Sequence, residues 1–174
     1  MGVEFLQGFP PIESAAARTL ILGTMPGRAS LEAGQYYAHP RNAFWRILGE
    51  LVGFDPGDAY ERRTARLVAS GIAVWDVLRA CRRRGSLDQD IDVESVEAND
   101  FAGFFADHPR IERIYCNGAG AERLYRQHVL RAGLAVPDID PVRLPSTSPA
   151  HASLSLADKA AAWRVVVRTG SSRR

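Results

Sequence analysis

The chain of 174 residues holds a single lysine, Lys159, only two cysteines, and no apolar run approaching the length of a membrane span. Cys81 and Cys116 lie far apart, and neither has a second cysteine or a histidine at metal-ligand spacing. A zinc module is therefore excluded, no metal or cofactor is expected, and both thiols are read as reduced. The missing span excludes a helical membrane protein, and no charged segment followed by a long apolar core opens the sequence, so a cytoplasmic location is expected. An excess of one charge is missing too, since 22 lysines and arginines face 20 aspartates and glutamates. That margin is too small to argue a nucleic-acid partner from net charge. The cations are almost all arginine, whose planar guanidinium suits phosphate forks and stacking, although a base-composition bias gives the same pattern. Neither a G-x-G-x-x-G fingerprint nor a lysine-bearing Walker loop is present, and no serine or cysteine can be paired with a histidine as a nucleophile triad.

What is present fits one domain, expected over residues 1–168, with 169–174 as a frayed polar tail. Thr19-Leu20-Ile21-Leu22 reads as a buried strand running into the loop Gly23-Thr24-Met25-Pro26-Gly27. Phe44, Ile47, Leu48 and Leu51 recur at helical spacing until Gly53, and a second helix, capped by Asp58, is expected to end at Gly71 with Ala65, Leu67 and Val68 inward. Ile72-Ala73-Val74-Trp75 is the second strand, and Arg79 to Gly85 reads as an arginine-rich loop. A helix over about Asn99 to Ala106 leads to a third strand, Ile111 to Cys116. A helix from Ala119 to Leu130 follows, then a short strand Val142-Arg143-Leu144 and a last helix capped by Ser155 with Asp158 in a capping box. This alternation predicts an α/β fold, a three-layer αβα domain around a mostly parallel four-stranded sheet. Ligands of such sheets sit beyond the carboxyl ends of the strands.

Gly23 to Gly27, Asp76, Asn117 and Pro145 to His151 are expected there, and four segments carry the candidate site chemistry. Gly23 to Gly27 is either a tight turn or a pocket floor lined by backbone. Tyr36-Tyr37-Ala38-His39-Pro40-Arg41-Asn42-Ala43-Phe44-Trp45 interleaves flat rings with planar hydrogen-bonding groups, which suits a loop seated on the core or a pocket for a heterocycle. Asn117-Gly118 is a turn or an amide that reads a base edge, and Pro145-Ser146-Thr147-Ser148-Pro149 is a rigid turn or a phosphate grip. Among the histidines, His39 and His151 flank these loops, whereas His108 and His128 are read as structural or solvated. Asp76, Asp88, Asp90 and Asp92 form no ligand motif and are read as caps or surface groups, and Arg82 to Arg84 as a solvated face or, less readily, a phosphate contact.

Taken together and in this order, these four segments resemble the uracil-DNA glycosylase superfamily, most closely its hypoxanthine-DNA (deoxyinosine) glycosylase family, over nearly the whole chain. The resemblance implies hydrolytic excision of a deaminated base from DNA without metal or cofactor, by a monomer, leaving an abasic site. Relatives place an aspartate or asparagine in the first loop where Met25 stands here, and a thioether can neither orient nor deprotonate water. The family pattern moves that task to Asn42, with Asn117 as the second important asparagine. It also implies a base pocket formed by Gly23, Thr24, Met25, Tyr37, His39 and Phe44, and phosphate contacts from Ser146, Thr147, Ser148 and His151. Leu144 stands where many superfamily members carry a histidine in the last loop. A binder of DNA lesions or nucleotides that lost its chemistry, or a mismatch-specific uracil or thymine glycosylase, are the competing readings.

Overall fold

In the computed structural model, which describes residues 4–168, successive side chains of the first buried strand enter opposite cores: Leu20 and Leu22 join one cluster and Ile21 the other. A strand covered on both faces has no solvent side, which is why Thr19 to Leu22 shows no polar alternation. The strands and helices in chain order are β1 (Glu4–Gln7), β2 (Thr19–Gly23), α1 (Arg28–Ala33), α2 (Phe44–Val52), α3 (Tyr60–Ala69), β3 (Ile72–Asp76) and β4 (Leu78–Arg83). They continue as β5 (Ile91–Ala98), α4 (Phe101–Asp107), β6 (Arg113–Asn117), α5 (Ala119–Tyr125), extended by a π-helical turn at Arg126–Leu130, then β7 (Val142–Leu144) and α6 (Leu156–Trp163). Strands β3, β2, β6 and β7 pair in that order, all parallel, as the expected four-stranded sheet. Helices α2, α3 and α6 pack on the face carrying Ile21, Val74 and Tyr115, and α4 and α5 on the face carrying Leu22, Trp75 and Cys116. The αβα layout around a four-stranded parallel sheet read from the sequence is the one observed. The tail from 169 to 174 lies outside the described residues.

Three local expectations are corrected. Arg79 to Gly85 is not a loop but most of β4, the centre of a second, antiparallel sheet ordered β1-β4-β5. Arg79 and Arg82 point to solvent while Leu78, Ala80, Cys81 and Arg83 are buried, and register shifts against β5 let the adjacent Ala80 and Cys81 both face inward. The bulge breaks the strict alternation that would have marked a strand. Second, α3 begins after Ala59 with no side-chain cap, so Asp58 is no cap and instead faces Arg62 one turn on at 3.9 Å. Within α3 only Leu67 is buried, while Ala65 is exposed. Third, Arg83 is no solvated or phosphate-facing side chain. It is 1% exposed, and its guanidinium donates to the carbonyls of Pro26 (2.7 Å) and Gly85 (3.0 Å), fastening the loop after β2. Other terminal signals hold: Gly53 and Gly71 carry positive φ after α2 and α3, and Ser155 and Asp158 form the full capping box of α6. No described helix is long and apolar enough to cross a membrane.

Candidate active site

Glycine at the end of β2 is what opens the site. A Cβ on Gly23 would collide with Oδ1 of Asp76 at the end of β3 and lie 2.8 Å from the Tyr37 hydroxyl, so only glycine leaves room for both. Beyond it the loop is fixed from several sides. Thr24 donates its hydroxyl to Oδ2 of Asp88 at 2.8 Å, Met25 is buried in the core, and Arg83 holds Pro26.

The aromatic segment is braced by its own polar atoms. Tyr36 donates its hydroxyl to the Pro10 carbonyl (2.9 Å) and its amide to the Tyr60 hydroxyl (3.1 Å), while the Trp45 indole donates to the Tyr36 carbonyl (2.9 Å). Tyr37 sits at φ +53°, a left-handed conformation rare for a residue with a large side chain, and its ring stacks on Phe44 at 4.0 Å and 20°. His39 accepts the Arg41 amide on Nδ1 (3.2 Å), so a neutral ring carries its proton on Nε2. Oδ1 of Asn42 accepts the Phe44 amide at 3.0 Å, which fixes the side-chain amide at the entrance to α2 and leaves one oxygen lone pair and both N–H groups.

The other two segments lock together. Asn117 at the end of β6 donates to the Thr147 hydroxyl and accepts the Thr147 amide, each at 2.9 Å. Half of its hydrogen-bonding capacity is thus spent on the last loop, and its side chain also bears on the Tyr37 hydroxyl. Gly118 sits at φ +92°, and a Cβ there would lie 3.0 Å from that of Ser146, so glycine permits the close approach. The Ala43 amide donates to the Thr147 carbonyl at 2.9 Å, which ties the aromatic segment to the same loop. The hydroxyls of Ser146 and Ser148 accept the amides of Ser148 and Ala150 (3.2 Å each).

These loops enclose a cleft of about 830 Å³ at the carboxyl ends of β2, β3 and β6. It is lined by Gly23, Thr24, Met25, Tyr37, His39, Asn42, Asn117, Ser146, Thr147, Ser148 and His151, so the structure brings together every site residue expected from sequence except Phe44. Phe44 is corrected: it is 0% exposed, and its face is covered by Tyr37.

The sequence reading missed two carboxyls. Asp76 is no cap or surface group. It is 4% exposed, lines the cleft, and its Oδ2 has no hydrogen-bond partner among the described residues, nor has the buried Tyr37 hydroxyl beside it. Desolvation pushes its pKa up to about 7, the Asp88 carboxylate adds to the rise, and Arg83 offsets part of it. Asp88 is exposed as a residue but turns its carboxyl onto Thr24; its pKa is raised as well, by desolvation first, with the Thr24 hydrogen bond opposing. The readable signal for Asp76 was an acid continuing the buried run Ile72 to Trp75 with no break. Burial also pushes the Tyr37 phenol up, so it stays a neutral hydroxyl. Among the described residues no group of three histidines, cysteines or acids is placed to hold a metal ion. Behind the floor, a buried carboxylate oxygen of Asp76 and the buried hydroxyl of Tyr37 thus lie close together.

Known proteins resemble this chain in sequence and in fold. A family model described as the uracil DNA glycosylase superfamily matches residues 10–167. Two curated relatives are named hypoxanthine DNA glycosylase. That of Methanosarcina barkeri is 37% identical over 113 residues, 64% of this chain and 70% of the relative. That of Methanosarcina acetivorans is 39% identical over 116 residues, 66% and 72%. The solution NMR structure of a candidate uracil DNA glycosylase from Methanosarcina acetivorans matches with a TM-score of 0.74 and 31% identity, covering 95% of this chain and 100% of that one. Because the family match runs through all four loops and the sheet that presents them, the chain belongs to the uracil DNA glycosylase superfamily.

Proposed function

We propose that this DNA glycosylase draws a deaminated base, hypoxanthine foremost, out of the duplex and hydrolyses its bond to deoxyribose. The family match and relatives named hypoxanthine DNA glycosylase support the activity and the first base to test. The observation that carries the reading is the convergence of Asn42, Tyr37, Asn117 and the partnerless Asp76 in one cleft. Its volume, about 830 Å³, is within the range of small-ligand sites.

The chemistry follows from the groups present. Glycosidic cleavage passes through an oxocarbenium-like sugar, so the site has to hold a water against the sugar carbon and accept negative charge on the departing base. Met25 cannot serve the water. Asn42 can: its amide orientation is set by the Phe44 amide, and its remaining oxygen lone pair aligns a water whose proton is lost once the sugar is cationic. No strong base is needed for that step. Hypoxanthine presents a ring N–H beside a carbonyl. An Asp76 oxygen accepts from the N–H and the Tyr37 hydroxyl donates to the carbonyl, while adenine presents the reverse pattern and is refused. The Nε2–H of His39 is a donor for the base or a flanking phosphate. Asn117 holds the last loop. Ser146, Ser148 and His151 face the phosphates around the extruded nucleotide, while Thr147, 1% exposed and bonded to Asn117, braces the loop from within; extrusion costs a few kcal/mol, least at mispairs.

The test is incubation with end-labelled duplexes carrying inosine, uracil or xanthine, followed by alkali. Excision leaves an abasic site and the strand breaks; a lesion binder without chemistry gives a shifted band and intact strands, and would overturn the reading.

A further inference from the structure

From Leu144 to Trp163 the chain has one lysine or arginine, Lys159, and it is the only lysine among 22 cationic residues. Its position runs against local preference twice. It stands in the first turn of α6, where the helix dipole favours acids such as its neighbour Asp158, and it is 6% exposed. Burying an ammonium costs stability unless its charge is used or paired. No carboxylate pairs with Lys159 among the described residues; its Nζ donates instead to the carbonyls of His151 (2.7 Å) and Ser148 (3.5 Å). Desolvation alone lowers its pKa, with no acid opposing. The loop it underlies carries no lysine or arginine of its own. On that loop, the Ser146 and Ser148 hydroxyls use their oxygens to accept backbone amides, which leaves their hydrogens for an anion.

We propose that Lys159 is a positioning residue that supplies, from beneath the Ser146–His151 loop, the fixed positive charge with which that loop holds a DNA phosphodiester. This rests on the glycosylase reading above and adds to it the source of the loop's charge. The ammonium ties two loop carbonyls to α6, and its charge, which no carboxylate among the described residues offsets, acts on whatever anion the loop holds.

The experiment compares wild type, Lys159→Gln and Lys159→Met in duplex binding across a salt series, with thermal melting as a check on folding. Lys159→Gln keeps a donor for the His151 carbonyl and removes only the charge, so it also carries the comparison if Lys159→Met does not fold. Both variants should bind inosine duplex about three- to tenfold more weakly at moderate salt, with the slope of log affinity against log salt reduced by about one. Lys159→Gln that matches wild type in affinity and slope overturns the inference alone. Wild type that shows no salt-dependent duplex binding overturns the glycosylase reading and this inference with it.

Discussion

Burial raises the pKa of Asp76 to about 7, whereas an unfolded aspartate titrates near about 3.9. Between those values the folded protein binds more protons than the unfolded chain, so stability falls as pH rises through the window and levels off above it. Asp76→Asn removes the cost and should stabilise the protein at pH 8 by roughly 1–3 kcal/mol, with the gap closing near pH 4. Melting curves at both pH values decide it; a variant less stable than wild type at pH 8 contradicts the assignment. Activity should run the other way. Wild-type excision of hypoxanthine rises with pH through about 7 as Asp76 becomes an acceptor, and the variant loses that limb together with discrimination against adenine. A second residue-scale prediction concerns the pair of 2.9 Å bonds between Asn117 and Thr147. Asn117→Ala and Thr147→Val should each slow base release, and a double-mutant cycle should give a coupling of about 1–3 kcal/mol. Additive effects would separate Asn117 from the last loop.

At the scale of elements, the site depends on where strands stop. The close approach at Gly23 is set by β2 and β3 ending together, with Gly23 paired to Asp76 in the parallel register. Gly23→Ala must therefore displace Asp76 or Tyr37, and we expect a loss of about 2–4 kcal/mol in stability together with base release reduced far more than duplex binding. Chemical denaturation with a binding assay tests this, and unchanged excision would show that the floor is not used. Strand β4 contributes in a less visible way. Its Arg83 reaches from the second sheet to the Pro26 carbonyl, so this one arginine of the segment shapes the cleft through the loop it fastens. The strand was hidden because its bulge interrupts alternation and its arginines imitate a loop.

For the molecule as a whole, the parallel sheet was readable because β2, β3 and the middle of β6 are buried apolar runs and because glycine, asparagine or proline follows or ends β2, β6 and β7. The helices from Ala43 and from Ser155 were readable from apolar spacing and from the capping box. The antiparallel sheet was not, since β1 and β5 are mostly exposed and carry no continuous apolar run. Most of the site was legible as loop motifs, yet Asp76 was not, because an aspartate after a strand usually caps or faces water and only the tertiary structure buries it. Phe44 was misplaced for the converse reason: helical spacing cannot say which of two neighbouring rings covers the other. With Met25 in the first loop, the account places the water on Asn42. The most direct test of that claim is single-turnover release of hypoxanthine by Asn42→Ala at saturating protein, beside its affinity for the same duplex. We predict binding within about threefold of wild type and release slowed by at least about 100-fold, the scale of a lost transition-state contact. Release at the wild-type rate would contradict the account.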